Sequence, residues 1–511
     1  MKICQYFCNV IFLFTFVIFV PSVWSTDFYV SPSGLDSNPG TSPNAPWGNI
    51  TNSVNRLNPG DRLIVMNGRY LINEWDNILT PPSGNAGAWV TIEGQAGFRP
   101  VLAGGNDLDR MFTLSGKSYI HLKNLEITHD NQATGEAMWF RNGIVCDDEG
   151  QCSNIILENL YIHHVDDMAV NMQDVNNIQI LNSRFEYCAI SAIGGPQSNG
   201  LGGWRNATIK GCSLSYSGHY YQGGDNSTHI YDRPDGMEIP HGSQGPLLVE
   251  DTIAAHNYGD GLDASVANTT IRRCLVANNS CTGVKLWRGD SRVENTLIYG
   301  RGDGTNLTGY WSAINIKTEQ TGDSFSLINV TIDDFVGTNY LMHVQYDFLN
   351  TPINLTMRNC IFSARGESTG IFLRDVVTFV AENNLFYMPN WTEEIFQHGE
   401  DSTPYTSTTI TSLGTGNLYG DPRFVKPAWG TEGDYRLMSG SPAINNGSSV
   451  EAPGVDINNY IRTGSIDIGA YEHGTQFIDP PGPSWVPGVV PPSPSDSRGL
   501  PWLLLLLRNK I

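Results

Sequence analysis

The amino-acid sequence predicts an all-β fold, a right-handed parallel β-helix (solenoid) with loop insertions. Short stretches of alternating apolar and polar residues fill the middle of the 511-residue chain, and no long stretch has helical periodicity. These stretches return after 22 residues where the spacing is shortest (251 to 273, and 273 to 295). Many copies also carry Asn at one register. A single coil of this length cannot bury its inner face, so we expect the coils to stack.

The recurring Asn defines what we call the repeat position. It follows one alternating stretch and precedes another, as in Ile120–Ile127 and Ile155–Ile162. An Asn at a tight bend can stack on the Asn of the next coil, and its amide can replace hydrogen bonds that the bent backbone lacks. A sandwich or propeller is the alternative, but neither explains Asn returning at one register. The ten repeat positions are Asn124, Asn159, Asn182, Gly211, Asp251, Arg273, Asn295, Asn329, Asn359 and Asn383.

Residues 27–117 precede the clear repeats and are expected to begin the stack. Pro59-Gly60-Asp61 is typical of a turn that enters a strand at residues 62–65, and residues 90–94 predict another strand. Residues 54–57 could form a short helix. Such a helix would cover the end of the core, which a solenoid needs for solubility.

The two chain ends differ in composition from the repeats. Residues 1–25 have a positive start, an apolar run and small residues before the expected cleavage point, which predicts a signal peptide and a secreted, extracellular protein. Residues 26–474 would form the β-helix domain. Residues 475–511 predict a Pro-rich linker and a short hydrophobic tail, which leaves a weak membrane or lipid anchor as one interpretation. Ten Asn-x-Ser/Thr triplets also suit a secreted glycoprotein.

Seven cysteines remain after removal of the signal peptide, an odd count that leaves at least one thiol outside an intramolecular disulfide. Cys146 and Cys152 bracket a short acidic loop and are the predicted disulfide pair. No Cys-x-x-Cys pair occurs in the sequence, which argues against a zinc site.

The formal net charge of -21 argues against a nucleic-acid partner, because phosphate binding needs clustered Lys and Arg. It also disfavours loose capture of any polyanion. An acidic polysaccharide could bind only where a metal ion or a few cations reverse the local charge. We expect a monomer.

One column of polar side chains emerges when the coils are aligned on the repeat position. Glu238, Asp263 and Lys285 occupy equivalent places in three successive coils, and Asp235 and Asp260 each lie three residues before a member of the column. The same column contains Asn171, Gly194 and Asn315. Neighbouring strands lie about 4.8 Å apart, so four carboxylates and one lysine should share one small patch.

Four acidic groups with one cation repel each other unless a hard divalent ion lies among them. Oxygen-only ligands favour Ca²⁺ over Zn²⁺. The alternative interpretation is ordinary turn chemistry, since Asp235-Gly236 and Asp260-Gly261 are each plausible turns. That alternative explains either pair alone but accounts less well for the whole column, including Lys285.

These residues resemble family 9 of the polysaccharide lyases, which includes pectate lyases. The opening residues 28–34 resemble the entry of these β-helix proteins, and the closing residues 441–445 and 467–472 are similar to those of many secreted β-helix proteins. The specific signal is in the middle, in Asp235-Gly236, in residues 259–263 (Gly-Asp-Gly-Leu-Asp) and in residues 283–286 (Gly-Val-Lys-Leu).

The resemblance implies a Ca²⁺ site and a lysine base. It assigns Asp235, Asp260 and Asp263 as metal ligands and Lys285 as the residue that removes a proton. The family pattern has Asp where this chain has Gly259. Three readings follow from that departure: weaker metal affinity, completion of the ligand sphere by Glu238, or loss of catalysis.

The implied activity is Ca²⁺-dependent cleavage of an acidic uronan such as pectate by β-elimination. Arg288 follows Lys285 closely and could bind a substrate carboxylate, or be an ordinary surface charge. Aromatic residues near the column, Trp204, Tyr231 and Trp287, could stack on sugars or pack in loops. A glycoside hydrolase with two carboxylates and a non-catalytic carbohydrate-binding solenoid remain the alternatives.

Overall fold

The computed structural model describes residues 25–130, 139–147, 149–220, 234–300, 312–334, 340–345, 349–366, 370–428 and 433–474. The predicted signal peptide, apart from Ser25, and the predicted C-terminal linker and tail lie outside these residues. Within the described residues, no helix is long and apolar enough to cross a membrane.

Three long parallel sheets run along the molecule, and from residue 90 to residue 398 each coil contributes one strand to each of them in turn. The first sheet contains the strands Asp27–Val30, Arg62–Val65, Val90–Gly94, Ser118–Lys123, Cys152–Glu158, Val175–Leu181, Trp204–Lys210, Leu247–Glu250, Thr269–Arg272, Ser291–Glu294, Ser324–Ile328, Ile353–Arg358 and Val377–Glu382.

The second sheet contains Arg69–Ile72, Val101–Gly104, Glu126–His129, Tyr161–Val165, Arg184–Cys188, Ser213–Ser215, Ile253–Ala255, Leu275–Ala277, Leu297–Tyr299, Thr331–Asp334, Ile361–Ala364, Leu385–Tyr387 and Leu418–Tyr419. The third sheet contains Leu108–Thr113, Phe140–Cys146, Met168–Met172, Ser191–Gly194, Met237–Ile239, Leu262–Ala264, Val284–Leu286, Ile314–Ile316, Met342–Val344, Ile371–Leu373 and Phe396–His398.

The predicted parallel β-helix is therefore confirmed, and its core is the column of apolar side chains between the three sheets. Inward-facing Val, Ile, Leu and Phe residues form one continuous cluster from Val30 to Ile410. Because each strand alternates inward and outward residues, apolar residues at every second position suffice to build this core.

The repeat position is the bend between the first and second sheets. All ten repeat positions have a left-handed backbone, with φ between 45° and 67°. Asn adopts this conformation more readily than most residues, which explains its recurrence. The predicted stacking is also present, since Asn159 donates to Asn124 Oδ1 at 2.5 Å and Asn359 donates to Asn329 Oδ1 at 3.2 Å.

A short helix, Ile50–Asn55, covers the N-terminal end of the core. It begins four residues before the predicted segment, because the Asn49 side chain accepts a hydrogen bond from Asn52 N at 2.8 Å and caps the helix there. Ile50 and Val54 are buried against the core. Two single-turn 3₁₀ helices, Trp75–Asn77 and Ile410–Ser412, lie in connecting segments.

The C-terminal segment folds back along the side of the stack. An antiparallel pair, Phe424–Lys426 with Asp434–Leu437, leads into a chain that packs on the outer face of the second sheet. Its backbone meets the repeat position in four successive coils, where side-chain amides donate to backbone oxygens. These bonds join Asn295 to Val455, Asn329 to Asp467 and Gly469, Asn359 to Ser448, and Asn383 to Asn446.

The predicted disulfide between Cys146 and Cys152 is present. Cys188, Cys212, Cys274 and Cys360 are buried in the core as thiols. Two predicted glycosylation residues, Asn278 and Asn329, are also buried, so the folded protein cannot carry glycans there.

Candidate functional site

The predicted polar column lies on the outer face of the third sheet. Glu238 pairs in register with Asp263, Asp263 with Lys285, and Lys285 with Asn315. The alignment on the repeat position thus gave the correct register. The neighbouring residues in each strand, such as Val284 and Leu286, point inward and fix the orientation of the column.

Asp235, Asp260 and Asp263 converge at this face. One carboxylate oxygen from each lies within 4.8 Å of the others, and all three residues are buried. Backbone amides hold two of the side chains in place, since Asp260 N donates to Asp235 Oδ1 at 2.5 Å and Thr282 N donates to Asp260 Oδ1 at 2.6 Å. We call these three residues the acidic cluster.

Lys285 closes the acidic cluster on one side. Its Nζ forms an ion pair with Asp260 and lies 3.4 Å from Asp263 Oδ2. Burial disfavours the charged form of Lys285, but the negative charges of Asp263, Asp260 and Asp235 outweigh burial and raise its pKa above the ordinary value. In this arrangement Lys285 is therefore protonated and serves as a counter-ion.

One lysine does not neutralise three carboxylates. Burial and the charges of Asp260 and Asp263 raise the pKa of Asp235 well above its ordinary value. Burial, in spite of Lys285, raises the pKa of Asp263 to about 7. Asp263 Oδ1 is buried and accepts no hydrogen bond from the described residues. Three crowded oxygen donors, one of them unsatisfied, fit a hard divalent cation such as Ca²⁺.

Glu238 and Arg288 lie at the edge of this arrangement. Glu238 is exposed, although it is the strand neighbour of Asp263, and its carboxylate is not part of the acidic cluster. Arg288 is also exposed. Its guanidinium makes no hydrogen bond or ion pair with the described residues. The geometry therefore brings Asp235, Asp260, Asp263 and Lys285 together, and leaves Glu238 and Arg288 exposed outside the acidic cluster.

Gly259 lies directly before Asp260 at the turn that enters the third sheet. Its N–H donates to Pro234 O at 2.8 Å, and its carbonyl accepts from Cys281 N at 2.9 Å. The backbone at this position is thus tied to the coils on both sides. A carboxylate added here would start from the same turn as Asp260.

The aromatic residues that the sequence suggested as sugar contacts differ in their location. Trp204 is fully buried and donates its indole N–H to Met172 O at 2.9 Å, so it packs inside the stack. Tyr231 lies outside the described residues. Trp287 is half-buried beside the acidic cluster, with Lys285 Nζ 5.9 Å from its ring centroid. Lys317, whose Nζ is 5.0 Å from the same centroid, is not among the residues predicted from the sequence. It lies two residues after Asn315 of the column, and the same alignment extended by two residues would have found it.

A known protein family matches the repeat region of the chain. Residues 28–310, more than half of the chain, match the family described as the Pel9A-like right-handed β-helix region. The chain belongs to this family. The match includes the acidic cluster and Lys285, which confirms the resemblance to pectate-lyase-like β-helix proteins.

Other members of the fold are distant in sequence. Pectate lyase Pel9A is 17% identical, with a TM-score of 0.50 over 89% of this chain and 97% of that one. XylC, solved with xylose, is 11% identical, with a TM-score of 0.56 over 88% of this chain and 99% of that one. At these identities the likeness shows the fold alone.

A curated relative has a hydrolase name. The lacto-N-biosidase of Bifidobacterium longum subsp. longum is 28% identical over 203 residues, which cover 30% of this chain. The matched region is only 13% of the length of that enzyme. The relatives of this chain therefore carry names from different reaction classes.

Proposed function

We propose that this protein is a Ca²⁺-dependent polysaccharide lyase that cleaves an acidic uronan, such as pectate, by β-elimination. The observation that carries the proposal is the contact of Lys285 with the acidic cluster. A lysine in contact with Asp260 and Asp263 on the outer face of the third sheet supplies a base beside a metal-binding group. Membership in a pectate-lyase-like family supports the same assignment.

Asp235, Asp260 and Asp263 would hold the metal ion. Bound Ca²⁺ would neutralise its ligands and stabilise a sugar carboxylate as negative charge develops on it during proton removal. Glu238 is the register neighbour of Asp263 in the adjacent strand, and a change of its side-chain rotamer would let it add a further oxygen.

Lys285 would act as the base. The three aspartates raise its pKa. Binding of Ca²⁺ by these aspartates would weaken the attraction that keeps Nζ protonated. Neutral Nζ can then accept the proton on the carbon next to the sugar carboxylate. The electron pair of that C–H bond forms the double bond, and the C4–oxygen bond breaks with its electron pair on the oxygen, which takes up a proton from water as the other half of the chain leaves.

The test is ultraviolet absorbance of the protein with polygalacturonate and Ca²⁺ at alkaline pH, because only a lyase makes an unsaturated sugar. We expect absorbance to rise, and the rise to disappear with a chelator. Lys285→Ala should reduce the rate by roughly 10²–10⁴-fold, the usual contribution of a positioned base. A lyase rate that survives Lys285→Ala would contradict the assigned role.

The hydrolase alternative has one specific observation in its favour. Burial raises the pKa of Asp263 to about 7, and one of its oxygens lies within 4.8 Å of an oxygen of Asp235 and of Asp260. Proton donors in glycosidases need such a raised pKa. It leaves Lys285 without a role. New reducing ends without ultraviolet absorbance would favour hydrolysis, and binding without any product would favour a carbohydrate-binding solenoid.

We also propose export of the chain, on the basis of residues 1–25. N-terminal sequencing of protein from culture medium tests this proposal, since the mature chain should begin near Thr26. Retention of the tail after residue 475 in the mature protein would argue against a lipid-anchor signal that is removed on attachment.

A further inference from the structure

Trp287 is the centre of a cationic patch next to the acidic cluster. It follows Lys285 by two residues and stands opposite Lys317 of the next coil. Lys285 Nζ is 5.9 Å and Lys317 Nζ is 5.0 Å from the ring centroid, and the His241 ring stands nearly perpendicular to the indole at 5.5 Å. We call Trp287, Lys317 and His241 the indole patch.

The backbone that carries Lys317 is held firmly. Lys317 N donates to Leu286 O at 3.0 Å, and Thr318 N donates to the side chain of fully buried Gln345 at 2.9 Å. Asp323 connects this segment to the one after Trp287, because its Oδ2 accepts from Thr318 Oγ1 at 2.7 Å and from Gly289 N at 2.7 Å. The segments that directly follow Lys317 and Trp287 are therefore joined by one carboxylate.

The position of Lys317 suits a polymer that lies along the third sheet. Lys285 pairs with Asn315 in the next coil, and Lys317 is two residues further on the same outer face. One strand spacing and two residues along a strand separate the two lysines by roughly 8 Å between Cα atoms. A chain with a carboxylate on each sugar could meet both lysines at once.

Charge makes this patch unusual for the molecule. The chain carries 51 acidic residues against 30 Lys and Arg, so an anionic polymer is repelled by most of the surface. At the indole patch an ammonium group lies over an apolar ring that excludes water on one side, which strengthens its attraction for an anion. Exposed Arg288, by contrast, has no partner among the described residues that would fix its guanidinium.

We propose that Lys317, held over Trp287, binds the carboxylate of a second uronate residue of the substrate. This inference rests on the proposed function, because it concerns the substrate of the same site. The half-buried Trp287 ring lies beside the Lys317 ammonium and offers an apolar edge to the sugar. Lys317 is then a determinant of substrate binding, while Lys285 performs the chemistry.

The test compares Lys317→Met with Lys210→Met in steady-state kinetics on polygalacturonate with Ca²⁺. Lys210 is exposed on the first sheet and pairs with Glu250, so its loss changes the net charge equally but far from the site. We expect Lys317→Met to raise KM roughly tenfold, the value of one charged hydrogen bond, with kcat within about twofold. Lys317→Arg should restore KM.

The outcomes separate this inference from the proposed function. If the wild type makes product and Lys317→Met leaves KM within about twofold, the inference is wrong and the function stands. If the wild type makes no product, the proposed function fails, and migration of the same proteins through gels that contain polygalacturonate decides the inference. Weaker retardation of Lys317→Met than of Lys210→Met would support it, and equal retardation would overturn it.

Discussion

Asp235 is a carboxyl group that the fold removes from water and places beside two others. Burial and the charges of Asp260 and Asp263 raise its pKa well above the ordinary value, so the metal-free protein favours the neutral form of this residue. Its Oδ1 accepts one backbone hydrogen bond, from Asp260 N. An amide has the shape of a neutral carboxyl group and can accept the same bond.

Asp235→Asn should therefore leave the melting temperature of the metal-free protein unchanged or higher. The same change should raise the Kd for Ca²⁺ at least roughly tenfold, because a charged ligand is lost. Calorimetric melting with and without Ca²⁺ measures both effects, since a ligand at 100 times its Kd stabilises by about 2.7 kcal/mol. Asp401→Asn, at an exposed position, is the charge-matched control. A full Ca²⁺-induced shift in Asp235→Asn would remove Asp235 from the ligand set.

Substitution of Gly259 tests the opposite change, the addition of a metal ligand. Its backbone is bonded to the coils on both sides, so a new side chain starts from a fixed point beside Asp260. We expect Gly259→Asp to lower the Kd for Ca²⁺ roughly tenfold in titration calorimetry, because ligand charge increases affinity. Gly259→Asn has the same shape without the charge and should show a smaller gain. Equal affinities for the two variants would contradict a role for charge at this position.

At the scale of the elements, the bends between the first and second sheets set the pattern. The left-handed conformation of all ten repeat positions explains why Asn, Gly and Asp occupy most of them. Arg273 is an exception that pairs instead with Asp251 at 2.8 Å and with Glu250. The sequence periodicity revealed this bend because its backbone restricts the residue type strongly.

Other parts of the site leave no such mark on the sequence. The register of Glu238, Asp263, Lys285 and Asn315 was predictable, because each is fixed by apolar neighbours that must face the core. The rotation of Glu238 towards solvent was not predictable, because the apolar pattern does not determine the rotamer of an outward-facing side chain. The link from Asp323 to Thr318 and Gly289 crosses 34 residues of sequence and follows no periodicity.

Asn359 forms one of these bends and also binds the C-terminal segment. It is fully buried with φ of 57°, donates to Asn329 Oδ1 and Ser448 O, and accepts from Ser448 N at 2.7 Å. Asn359→Gly keeps the backbone conformation but loses these bonds, and should cost about 1–3 kcal/mol. Asn359→Ala adds a left-handed backbone penalty of roughly 1–2 kcal/mol.

Urea unfolding of both variants measures these costs. Asn177 provides the control, because it has φ of 61° but is exposed, with one side-chain bond to Asn154 at 2.6 Å. Asn177→Gly should change stability by less than about 0.5 kcal/mol. Equal costs at the two positions would show that the C-terminal segment adds no stability through Asn359.

At the scale of the whole molecule, the C-terminal segment connects the coils from Asn295 to Asn383, just beyond the acidic cluster. It covers an apolar patch on the second sheet that would otherwise be exposed, which includes Leu275, Leu297 and Ile361. The coils that follow the site are thus braced from outside. The acidic cluster itself is carried by coils whose stability depends on their neighbours in the stack.

The large negative charge makes pH a second determinant of global stability, and buried carboxyl groups dominate its effect. Asp333, which has no exposed surface under the C-terminal segment, is one such group. Its oxygens accept from Ser363 at 2.5 Å and Arg365 at 3.3 Å. Burial outweighs these partners and raises the pKa of Asp333 from 3.8 to about 6.

Between pH 3.8 and about 6 the folded chain therefore binds more protons at Asp333 than the unfolded chain, so stability falls as pH rises through this window. The loss amounts to roughly 3 kcal/mol, since one pKa unit is worth about 1.4 kcal/mol. Asp333→Asn resembles the neutral form and removes this loss. The variant should match the wild type near pH 4 and exceed its free energy of unfolding by up to about 3 kcal/mol near pH 7. An advantage that is the same at both pH values would assign the effect to packing and not to the charge of Asp333.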